Sequence, residues 1–187
     1  VVQEDSSSIL YKHFNLKERR VVKVRLLKGS LPYRVEKSDP DKRERIVATW
    51  RQFGFTAQVT DKTGKTSKVS ALFLDFYPPG GRGSLFAPIP PRTFLPAILP
   101  GGRVLEIEFA DIDRIEFHAR RMQVQLAEGQ VVECEFRTPS NEPAEARLLG
   151  ITGNYSPESK EVFDFSIRVD NIQSVKFPDG RRRRRSP

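Results

Sequence analysis

The 187 residues carry a formal charge of +8, with 37% hydrophobic and 30% charged side chains, enough apolar material for a core beneath an ordinary polar surface. No run approaches the roughly 18 apolar residues needed to cross a bilayer as a helix, and the single cysteine excludes an internal disulfide. Two histidines and one cysteine cannot assemble a zinc site of usual spacing, so no metal-ligating, cofactor-binding or catalytic residue is assigned.

The positive charge sits at the ends. Residues 1–55 hold 13 basic and 7 acidic side chains, residues 56–119 hold 7 and 7, residues 120–180 hold 7 and 10, and the last seven hold five Arg. A neutral to acidic body argues against a basic groove across the main fold.

In chain order, residues 1–54 read as a basic arm. Its polar, Ser-rich start lacks an initiator Met, as a removed leader would leave it, and points to a secreted or periplasmic protein, with a cytoplasmic one as the alternative. Residues 8–16 are expected as a short helix. The segments 19–27 (RRVVKVRLL) and 45–50 (RIVATW) are expected as strands completing the β-domain, with turn chemistry at 38–41.

Residues 55–119 and 120–180 then read as two copies of one strand unit. The apolar skeleton Ile107, Phe109, Ile112, Ile115, Phe117 recurs at Ile167, Val169, Ile172, Val175, Phe177, each 60 residues later. Upstream, Phe55, Ala57, Val59 match Met122, Val124, Leu126, and Val69, Ala71, Phe73 match Val132, Cys134, Phe136 across Gly-containing turns. Period-two alternation puts one face on a core and the other in water. The expected fold is all-β: duplicated antiparallel four-strand units forming a β-sandwich or two tandem small barrels, in intimate contact.

Between the strands of the first copy lies 78–102 (PPGGRGSLFAPIPPRTFLPAILPGG), with seven prolines. Proline removes backbone donors, so this segment is expected as a loop and not as a central strand. Its Leu85, Phe86, Ile89, Phe94, Leu95, Ile98 and Leu99 serve either as a lid on the protein's own core or as a surface for a protein partner. Residues 181–187 follow as a disordered tail, where Arg181, Arg182, Arg183, Arg184 and Arg185 are candidate contacts for phosphates or another polyanion.

Other motifs carry less. The Gly64-Lys65-Thr66 triplet lacks the second Gly of a phosphate loop, since Val59 stands there, and reads as a hairpin turn. Cys134 alternates with apolar residues as a buried thiol does, His118 ends a strand alone, and the Asp111–Asp113 pair is Asn171–Gln173 in the second copy. The expected function is a non-enzymatic structural or protein-interaction subunit of a larger assembly or self-assembly, using the apolar loop and basic termini. The alternative is a nucleic-acid-binding small barrel. Residues 122–136 (MQVQLAEGQVVECEF) are similar in their strand–Gly turn–strand shape to Sm-like barrels, although the second strand lacks the Gly those proteins place there.

Overall fold

The computed structural model describes residues 8–15, 20–28, 40–81, 92–119, 121–138, 144–155 and 161–178. The chain divides into two compact units, Val1–Pro32 and Tyr33–Pro187. In the first, β1 (Ser8–Asn15) and β2 (Arg20–Lys28) pair antiparallel as a two-stranded sheet of their own, with a register shift between His13 and Phe14. Residues 8–15 are therefore strand where a short helix was expected over 8–16, in keeping with the strand preference of Ile9, Tyr11 and Phe14.

The second unit opens with the helix α1 (Pro40–Phe53), which corrects the strand expected over 45–50. Pro40 fits a first helical turn because its missing N–H has no intrahelical partner there, and Asp41 and Arg51 match the helix dipole at opposite ends. Gly54 ends the helix and donates its N–H to the Trp50 carbonyl at 3.0 Å. Val47 and Trp50, three residues apart, form the buried stripe. The Trp50 ring stacks on Phe73 at 6.0 Å and meets Phe163 edge-on at 4.8 Å. The β-like composition of RIVATW is thus the apolar face of a helix.

Ten strands follow: β3 (Phe55–Asp61), β4 (Thr66–Tyr77), β5 (Phe94–Ile98), β6 (Val104–Glu108), β7 (Ile112–His118), β8 (Arg121–Leu126), β9 (Val131–Phe136), β10 (Glu145–Ile151), β11 (Phe165–Arg168) and β12 (Ile172–Lys176). All pair antiparallel in one sheet of order β11-β10-β4-β3-β12-β7-β8-β9-β5-β6, so the chain is all-β apart from α1. Half of the sheet, β5 to β9, is continuous in the chain and sits between β4 and β10. The other half joins β3 and β4 to β10, β11 and β12. Neither 55–119 nor 120–180 is thus contiguous in the sheet. Each contributes five strands rather than the four expected, because β5 and β10 are additional.

The halves meet along β7 and β12. Val175 pairs with Ile115, Ser174 with Glu116 and Lys176 with Arg114. Each strand follows a 3-10 turn, Phe109–Asp111 before β7 and Val169–Asn171 before β12, with near-identical flanking angles. Each then carries a hairpin on its far side: Ile115 pairs with Val124, and Val124 with Val132, while Val175 pairs with Val59, and Val59 with Ser67. Corresponding hairpin residues are thus 65 apart (Val59 and Val124, Ser67 and Val132). The sequence match was displaced by two residues in each strand, in opposite directions. A slip of two keeps every side chain on its own face, so alternation alone cannot detect it.

One core runs through both halves. Ala57, Val59, Leu72, Leu74 and Phe76 of one share it with Leu95, Ile107, Ile112, Ile115, Met122 and Val124 of the other. Phe109 and Phe177 approach to 5.2 Å within it. Strand β4 is buried on both faces from Ala71 to Tyr77, and Trp50 of α1 covers Phe73 on the side away from this core. That closeness depends on Gly54, where a Cβ would overlap the Cα of Ala71, itself at a φ of 52°. Gly54→Ala should lower the unfolding free energy by about 1–3 kcal/mol in urea titrations, the cost of overpacking. An unchanged midpoint would show that α1 does not press on β4 at this point.

Candidate interaction surface

Strand β5 lies between β9 and β6, which corrects the expectation that proline keeps 78–102 out of the sheet interior. It pairs with β6 along its whole length but with β9 only at Ala97 and Ile98. The Pro96 carbonyl accepts the Arg137 N–H at 3.1 Å, and Pro96 has no N–H to return. The proline is therefore tolerated where β9 ends. Leu95 is 2% exposed, Leu99 packs on the same core, and Phe94 and Ile98 are half-buried. This stretch thus lids the protein's own core. Leu85, Phe86, Ile89 and Arg181 through Arg185 lie outside the described residues.

A charged network holds the chain on either side of 82–91. Asp75 is buried on β4, its Oδ1 accepts the Phe76 N–H at 2.8 Å, and the Arg92 guanidinium lies 3.9 Å away and over the Phe76 ring. The Leu74 N–H donates to the Arg92 carbonyl at 2.8 Å. Burial, then the Asp75 charge, push the Tyr77 hydroxyl up to about 12, so it stays protonated. Arg147 lies 4.6 Å over the Tyr77 ring and donates to Glu145 at 2.8 Å and to the Gly81 carbonyl at 3.4 Å. Glu145 accepts the Gly80 N–H at 2.9 Å, and Arg168 reaches it at 3.5 Å and Asp170 at 2.6 Å. The chain on either side of 82–91 is therefore tied to β10 at Gly80 and Gly81 and to β4 at Arg92.

The sheet ends at β6 and β11, and each end strand turns one row of backbone groups outward. The Leu99 N–H donates to the Arg103 carbonyl and the Phe109 N–H to the Thr93 carbonyl, which turns Leu105 and Ile107 toward β5 and Val104, Glu106 and Glu108 away from it. On β4, Leu74 bonds Arg92, so Asp75 faces β10. By the same alternation Leu148 faces β11 through its pair with Ile167, which leaves Ser166 and Arg168 facing outward. Val104 on β6 is 47% exposed and Val131 on β9 is 51% exposed. The outer face around them carries exposed Glu106, Glu133 and Glu135 against exposed Arg114 and Arg121.

The remaining motifs have structural positions. Gly64, at a φ of 86°, donates its N–H to the Asp61 carbonyl in the β3–β4 turn, where Asp61 Oδ1 accepts from Thr63 and Lys65; this is a hairpin turn. Asp111 and Asp113 offer their main-chain carbonyls to Ala127 and Phe177. The His118 side chain is 67% exposed, 3.8 Å from Glu116. Cys134 is buried and its thiol is pushed up by that burial, which makes it unreactive. Among the described residues no cluster of His, Cys, Asp or Glu could hold a metal ion, and no helix is long and apolar enough to cross a membrane.

Glu108 is the residue that sequence reasoning missed. Burial, then the charges of Asp111 and Glu106, push its carboxyl up to about 7. The signal was the Glu106–Glu108 alternation beside Asp111. In comparisons with known proteins, no family model, curated protein or solved structure matches the chain.

Glu108 binds its proton more tightly when folded, so its contribution to stability is full below about pH 4.5 and fades as pH rises through about 7. Glu108→Gln should flatten that decline and exceed the parent protein in stability at pH 8, measured by urea midpoints across pH. Parallel pH profiles for the two proteins would contradict the assignment.

Proposed function

We propose that the chain is a non-enzymatic β-rich structural or protein-interaction subunit of a larger assembly. The observation that carries this reading is the open sheet. At β6 and β11 a row of outward N–H and C=O groups meets no strand among the described residues, and such an edge accepts a strand from another chain. Val104 adds exposed apolar area beside it. The segment with Leu85, Phe86 and Ile89, flanked by contacts of Gly81 to β10 and of Arg92 to β4, contributes further apolar contact, and Arg181 through Arg185 contribute electrostatic attraction. The outer face of Glu106, Glu133 and Glu135 with Arg114 and Arg121 is mixed in sign and not a basic surface, which weighs against a nucleic-acid-binding barrel.

Site-specific photo-cross-linking in cells tests this. A photoreactive phenylalanine replacing Val104 or Phe86 should give protein adducts, and one replacing the exposed Lys68 should not. Absence of protein adducts at both positions, or adducts to nucleic acid in their place, would overturn the reading.

A further inference from the structure

The two ends of the sheet differ in a way that selects what fits them. On β6 the outward residues are Val104, Glu106 and Glu108, with Leu105 and Ile107 turned to the core. On β11 the outward residues are Ser166 and Arg168, with Phe165 and Ile167 packed on that same core. Antiparallel pairing joins outward-facing backbone groups to outward-facing ones. It must also keep apolar side chains on one face. Setting Glu106 opposite Arg168 meets both conditions: Glu108 then faces Ser166, and Ile107 faces Ile167 on the core side. Opposite charges directly across a pair stabilise it, and like charges destabilise it. Two β6 edges joined with Val104 opposite Glu108 would set Glu106 against its own copy, so charge opposes that register.

We propose that copies of this chain join head to tail, the β6 edge of one adding to the β11 edge of the next in the register Glu106–Arg168, Ile107–Ile167, Glu108–Ser166. This rests on the interaction reading above and names the partner as a second copy. Each joined chain leaves one β6 and one β11 edge free, so the contact is heterologous and growth continues past the dimer unless a ring closes. Both edges are short, five and four residues, so the association is weak and concentration-dependent.

Sedimentation velocity of the purified full chain at rising concentration tests this, with circular dichroism reporting the fold of each variant. The parent chain should form species that grow beyond dimers. Glu106→Arg and Arg168→Glu, each alone, should raise the concentration for half-assembly about tenfold or more. An equal mixture of the two variants should restore assembly, because each edge then meets its opposite. Glu106→Pro removes an outward N–H and spares the bonds to β5, so it should block growth while keeping the fold. A chain monomeric at every concentration, a closed dimer indifferent to Glu106→Pro, or a mixture no better than its components would each overturn the proposal. Val104 photo-adducts to a different protein would sink self-assembly while leaving the interaction reading intact; no protein adducts at Val104 or Phe86 would sink that reading too.

Discussion

The antiparallel pairing of β7 with β12 is the contact on which the ten-stranded sheet depends. Ile115 and Val175 face each other, and their neighbours pair crosswise, as two like strands do about a two-fold axis. Each strand enters from a 3-10 turn and carries a hairpin, so this one ladder sets the register of four further strands. The hairpins are then clipped in place by equivalent main-chain bonds, Lys62 to the Asn171 carbonyl and Ala127 to the Asp111 carbonyl. Ile115 and Val175, 2% and 0% exposed, bury the seam that a half-sheet alone would expose.

Burial on both faces of β4 links this seam to the surface. Leu74 and Phe76 belong to the shared core, while Phe73 packs under Trp50 of α1. Further along, the same face of β4 holds the buried Asp75 and Tyr77. A buried carboxylate is costly unless it is paired and hydrogen-bonded. The Phe76 N–H and the nearby Arg92 meet that requirement, and the same Arg92 carbonyl anchors the chain returning from 82–91. The charged network is therefore structural in the first instance: it fixes the chain at Gly81 and at Arg92, on either side of 82–91.

What was legible in the sequence follows from period two. Alternation at 105–117 and 165–177 identified four of the strands and which side chains face inward, and Ile107, Ile112, Ile115, Ile172 and Val175 are buried as that pattern requires. Alternation could not distinguish a hairpin register from its neighbour two residues away. It also misread RIVATW, where Val47 and Trp50 follow helical spacing between Pro40 and Gly54, punctuation that favours a helix over any propensity of Val and Trp for strands. The prolines of 78–102 argue against an interior strand, yet Pro96 lies in one. The exclusion holds only where a donor is needed toward both neighbours, and β9 stops short of demanding one there. The edges themselves could not be seen, because which strand ends a sheet depends on a topology in which β3 and β4 bypass their sequence neighbours.

The apolar pattern recurs, but the polar residues set between its positions do not. Sixty residues apart, Glu106 corresponds to Ser166, Glu108 to Arg168, Asp111 to Asn171 and Asp113 to Gln173, while the apolar positions between them keep their character. At one end of the sheet burial, then the charges of Asp111 and Glu106, push Glu108 up to about 7, and the other ends in Arg168 bound to Asp170 and Glu145. Edge charges commonly serve to forbid pairing altogether. Here the two ends carry different charge patterns, an acidic row at β6 and a locally paired arginine at β11. Equal burial with unequal charge means that the core specifies the fold and the divergent polar rows specify what the fold can meet.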